Sequence, residues 1–115
     1  MNKSIVYITQ DNNKNYTQAH QFGEPRFVTK GEYSSISNSK QNTVIHDDIQ
    51  DMALNFNRNS DYLLLSGDPI VISLCVHAIL ADQGYVRVLK WSSQDRQYAP
   101  IVINTWQLKG GRGIV

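Results

Sequence analysis

Residues 61–82 read DYLLLSGDPIVISLCVHAILAD, and the Ser66-Gly67-Asp68-Pro69 step stands where a nucleotide-binding fold would carry its phosphate loop. A P-loop needs GxxxxGK followed by Ser or Thr, so that backbone amides and a lysine surround the phosphates. A dinucleotide loop needs three glycines at GxGxxG spacing. SGDP has one glycine, no lysine, and an aspartate that would repel phosphate. The same residues make a good strand-to-helix turn, with Asp68 as N-cap and Pro69 on the first helical position. Position adds a second reading, because ligands of open α/β sheets gather beyond the carboxyl ends of the strands. If the first and third strands are neighbours, Gln10, Asp11 and Asn12 open on the same edge as Ser66, Gly67 and Asp68. Amides and carboxylates gathered there suit a metal or a polar small molecule such as a nucleotide, and would also suit hydrolysis.

A second constellation is VRVLKWSSQDRQYAP, residues 86–100. It places Arg87, Lys90, Trp91, Arg96 and Tyr98 around one hairpin. Trp, Tyr and Arg dominate protein–protein hot spots, and basic residues interleaved with aromatics also bind single-stranded nucleic acid. Strand alternation puts Arg87, Leu89 and Trp91 on one face, which leaves core packing open for Trp91. Protein contact ranks first, core packing second and nucleic acid third.

The other reactive side chains form no set. His20, His46 and His77 lack HxH or HxxxH spacing, and no GxSxG nucleophile elbow occurs. His46 lies beside Asp47, Asp48 and Asp51, but carboxylates early in a helix already have the macrodipole as a reason to be there. We therefore expect no metal, no cofactor and no catalytic residue. Cys75, the single cysteine, excludes an internal disulfide and reads as a buried small hydrophobe.

The elements that position these residues can be read from periodicity. Strands are expected at residues 4–9, 26–29, 62–65, 85–91 and 98–104, the third without alternation and so buried on both faces. A short helix at 16–23 is closed by Gly23, and 30–43 reads as a mobile surface loop. A helix over 44–56 is capped by Thr43, and a second spans 69–82 with Gly84 as its C-cap. That second helix is apolar nearly all round, apart from Ser73 and His77, which suggests burial on every side and a homodimer as one way to achieve it. The order β-α-β-α-β-α-β-β predicts an α/β single-domain sandwich over residues 1–107, with a mostly parallel sheet and a C-terminal antiparallel hairpin. Residues 108–115 read as a flexible glycine-rich tail.

Composition sets the outer limits. A chain of 115 residues is one domain, 41% hydrophobic and 18% charged, ordinary for a globular protein. Its net charge of +1 gives no electrostatic drive toward nucleic acid or anionic membrane. The apolar run 70–81 is shorter than the roughly twenty residues of a membrane helix. The N-terminal apolar run is too short for a signal peptide. The reading is cytoplasmic, with no membrane.

The strand, the Gly67-Asp68-Pro69 turn, the apolar helix and the hairpin bearing Leu89-Lys90-Trp91, Asp95-Arg96 and Tyr98 together resemble small bacteriophage-encoded α/β proteins. The likeness spans mainly residues 61–104 and brings no activity with it. It implies a small accessory protein of the host cytoplasm, acting on a host component or a host-made small molecule. The expectation is therefore a non-enzymatic interaction protein that binds a host protein. The second reading is a small-molecule- or nucleotide-binding domain at the strand ends.

Overall fold

The computed structural model describes residues 4–36 and 39–106. The expected tail at 108–115 lies outside the described residues. Five strands form one sheet in the order β2-β1-β3-β4-β5. They are β1 (Ile5–Gln10), β2 (Glu24–Thr29), β3 (Tyr62–Leu64), β4 (Tyr85–Ser92) and β5 (Gln97–Asn104). The pairs β1–β2, β1–β3 and β3–β4 are parallel, and β4–β5 is antiparallel, with Trp91 opposite Tyr98. The α/β domain, its mostly parallel sheet and its closing hairpin are as the sequence predicts.

The chain steps from β1 outward to β2, then returns past β1 to β3 and on to β4. With right-handed crossovers, that reversal sends the connections to opposite faces of the sheet. The cores divide accordingly. Helices α1 (Lys40–Asn55) and α2 (Pro69–Gln83) cover one face, packing Ile45, Ile49, Met52, Val71, Cys75 and Ile79 on Tyr7, Leu63, Val86 and Val88. The opposite face holds a smaller cluster of Val6, Ile8, Leu64, Leu89 and Tyr98. A 3₁₀ segment, Thr17–Gln21, closes it with Ala19, flanked by Tyr16 and Phe22. Fully burying each Val, Leu or Ile contributes about 1.5–3 kcal/mol. Because the 3₁₀ segment is short, this second face is only partly roofed.

The first long helix starts earlier than the sequence predicts. Helix α1 begins at Lys40, capped by Ser39, whose side chain accepts from the Asn42 amide; the expectation was Val44 capped by Thr43. The polar run before Val44 hid the first turn because Asn42 faces inward. Its side chain is buried, accepting from Ser34 N–H and donating to the carbonyls of Ser34 and Ile36. Part of the expected loop is thereby tied to the helix. Within the single chain, helix α2 buries one stripe. Val71, Cys75 and Ile79 are sealed, while Ile70 is 50% exposed and Ser73, His77, Ala81 and Asp82 face outward. One sheet face buries one stripe of a helix, however apolar the remainder.

Both signals that bound α2 are realised. The Asp68 side chain accepts from the Ile70 amide with Pro69 at the start, and Gly84 closes the helix at φ 83°. Among the described residues, no helix is long and apolar enough to cross a membrane.

Candidate functional site

Strands β1 and β3 are neighbours, so their carboxyl ends do meet, at the point where the chain's direction of travel across the sheet reverses. That meeting is a closed hydrogen-bonded latch. Thr9 Oγ1 donates to the Ser66 carbonyl and accepts from the Ser66 amide. Gln10, 4% exposed, accepts from the Asp68 amide through Oε1 and donates to the Gly31 carbonyl through Nε2. Asp68 uses one oxygen for the helix cap, and its other oxygen accepts from the Tyr33 amide at 3.0 Å. Gly67 takes φ 92°, and a Cβ there would fall onto the Gln10 side chain. Gln10, Gly67 and Asp68 are thus consumed in holding the turn. Asp11 is exposed and accepts from the Asn13 amide, and Asn12 donates its amide to the Tyr16 hydroxyl at 2.8 Å.

Ser66 faces elsewhere. Its hydroxyl lies 3.0 Å from the Tyr16 hydroxyl, on the partly roofed face. There it borders a cleft of about 500 Å³ lined by Lys14, Asn15 and Gln18 on one side and Trp91, Arg96 and Tyr98 on the other, floored by Leu64, Leu65 and Ser66. The cleft joins the two sets that the sequence keeps apart, taking Ser66 from the strand ends and Trp91, Arg96 and Tyr98 from the hairpin. Arg87 and Lys90 lie outside it. Arg87 shares the face of Leu89 and Trp91, but its guanidinium stacks 4.4 Å over the Tyr62 ring, and its buried Nε has no partner among the described residues. Lys90 alternates to the other face and borders a smaller hollow of about 320 Å³ beside Trp91.

The lining is chemically one-sided. Among the described residues its charged side chains are Lys14 and Arg96, with no carboxylate in the lining. Among the described arginines, Arg26 pairs with Glu24, Arg58 donates to the Gln83 carbonyl, and Arg87 stacks on Tyr62. Arg96 has neither a side-chain hydrogen bond nor an ion pair among the described residues. It also sits at φ 54°, a left-handed position that turns normally give to Gly or Asn and that costs another residue roughly 1 kcal/mol. The neighbouring Asp95 is turned back onto the Ser92 hydroxyl. The aromatic wall is Trp91, 44% exposed, set edge-to-face against buried Tyr98 at 5.0 Å between ring centroids and 71° between planes. Burial, with Tyr16 nearby, pushes the Tyr98 phenol above its ordinary pKa, so Tyr98 stays neutral.

Two further hollows, of about 450 and 470 Å³, flank β2 and α1. There Asp48 and Asp51 share the lining with Arg26, and Asp48 with Lys30, so opposite charges offset one another. His46 bonds the Tyr33 hydroxyl at 2.8 Å, and no metal-ligand cluster occurs among the described residues.

Sequence reasoning missed Lys14, Asn15 and Gln18. The signal available was that their loop directly follows β1, whose carboxyl end lies on the same edge as that of β3.

The chain belongs to the phage Pam3 gp32-like protein family, whose model matches residues 4–105. The resemblance to phage-encoded α/β proteins is thereby borne out, and it extends through both halves of the chain. No curated protein and no solved structure matches the chain.

Proposed function

We propose that this phage-family protein is a non-catalytic binding domain that takes a small anionic ligand in the cleft between residues 14–18 and the β4–β5 hairpin. The observation that carries the reading is a concave site whose charged lining, among the described residues, is Lys14 and Arg96. Its size lies within the range that buries small ligands, and it adjoins the reversal point of the sheet, where α/β folds bind theirs. The absence of a nucleophile–base pair in the lining supports binding without turnover. Ser66 is partnered by the Tyr16 hydroxyl. His46 and His77 lie on helices of the opposite face, and Cys75 is sealed in that core, its thiol pushed up to about 12 by burial.

The test is calorimetric titration with pyrophosphate at low ionic strength, where exposed charges are least screened. Saturable one-to-one binding, weakened about tenfold or more when Lys14→Gln and Arg96→Gln are combined, supports the reading. Absence of binding, or binding indifferent to both substitutions, contradicts it.

A host protein is the second reading, favoured by the exposure of Trp91 beside Arg96 and Tyr98, residue types that anchor protein interfaces. It predicts stoichiometric co-purification of a partner that Trp91→Ala abolishes. The concavity of the site places it behind the small ligand.

A further inference from the structure

Resting on that reading, we infer that the ligand is a free nucleoside phosphate, its base stacked on Trp91 and its phosphate held by Lys14 and Arg96. The cations account for the anionic end of a ligand but not for the rest of the lining. Trp91 borders both the main cleft and the smaller hollow beside it, so the indole stands as a wall between them. Tyr98 braces it edge-to-face, and a braced, half-exposed indole suits a planar ring, because every base offers a π-face. Two amides complete the lining. The Gln18 side chain makes no hydrogen bond among the described residues, while the Asn15 side-chain carbonyl is occupied by the Thr17 amide, which leaves its NH₂ group as the free end. Side-chain amides both donate to and accept from base edges, as Asn and Gln do with adenine.

Three kinds of group therefore converge, each matched to one part of a nucleotide: cations for phosphate, an indole for the base face, and amides for its edge. The chain's overall balance favours a free nucleotide over a strand. Eleven Lys and Arg against ten Asp and Glu leave a net charge of +1, too little for the phosphate tracking on which polymer binding depends.

The experiment compares adenosine 5′-monophosphate, adenosine and pyrophosphate by calorimetry on the full chain, wild type, Trp91→Ala and Trp91→Phe. We expect the monophosphate to bind about tenfold or more tighter than pyrophosphate. Trp91→Ala should erase that advantage, bringing the affinities for the monophosphate and pyrophosphate together, and Trp91→Phe should keep most of it. Circular dichroism and urea unfolding report whether the variants remain folded. Equal affinity for the monophosphate and pyrophosphate overturns the nucleotide inference and leaves the anion site standing. An advantage that survives Trp91→Ala overturns the stacking assignment, and no binding by any anion overturns both readings.

Discussion

Asp68 separates a structural latch from a ligand contact, because both of its carboxylate oxygens are already engaged by backbone amides. One accepts from Ile70 at 2.9 Å and caps α2, and the other accepts from Tyr33 at 3.0 Å. Removing an N-cap acceptor costs about 1 kcal/mol, and losing a partly buried bond to a charged acceptor costs about 1.5 kcal/mol more. Asp68→Ala should therefore destabilise the fold by roughly 2–3 kcal/mol, a fall in Tm of about 10 °C for a domain of this size. Urea unfolding followed by circular dichroism reads the loss, and the slope with denaturant should stay constant. Hydrogen exchange should speed up at the Tyr33 and Ile70 amides in particular. At a temperature where the variant is folded, pyrophosphate affinity should match wild type, since Asp68 does not line the cleft. A variant as stable as wild type would refute the latch, and one that kept its stability but lost the ligand would make Asp68 a ligand contact.

Two glycines at positive φ give a paired comparison. Gly84→Ala, at φ 83° with nothing within 4 Å of a new Cβ, should cost about 1–2 kcal/mol of backbone strain. Gly67→Ala adds a collision with the Gln10 side chain to similar strain and should cost clearly more in urea unfolding; equal losses would contradict that packing. Alkaline stability follows from Cys75. The buried thiol is raised to about 12 against roughly 8.5 in an unfolded chain, so the folded state holds the proton more tightly. Its contribution is complete below about pH 8.5 and is lost as pH rises toward 12, with a slope of up to about 1.4 kcal/mol per pH unit. Tyr7 and Tyr98, also raised by burial, act in the same direction above about pH 10. Urea midpoints measured across that range should fall less steeply in Cys75→Ala, and an unchanged slope would contradict the assignment.

Much of the fold could be read from local rules. Asp68, Pro69 and Gly84 mark the ends of α2 through capping chemistry that operates within a few residues. The unalternating Tyr62–Leu64 strand announces its place between two parallel neighbours. The alternation of β4 sends Val86 and Val88 to one core and Leu89 to the other. What stayed hidden depends on long-range partners. Asn42 looks like loop composition until Ser34 and Ile36 are seen bonded to it. Gln10 and Asp68 look like free polar ends until Gln10 is found accepting from the Asp68 amide, and Asp68 from the amides of Tyr33 and Ile70. The cleft could be read in halves only, because Lys14 and Arg96 are separated by most of the sheet's chain length and meet through topology alone.

The most direct measurement is a two-dimensional amide and indole NMR titration of the protein with pyrophosphate at low ionic strength. Shifts confined to residues 14–18, 64–66 and 91–98, including the Trp91 indole N–H, are the result the anion-binding cleft predicts. An unperturbed spectrum, or shifts gathered along β2 and α1 with the cleft silent, would contradict it.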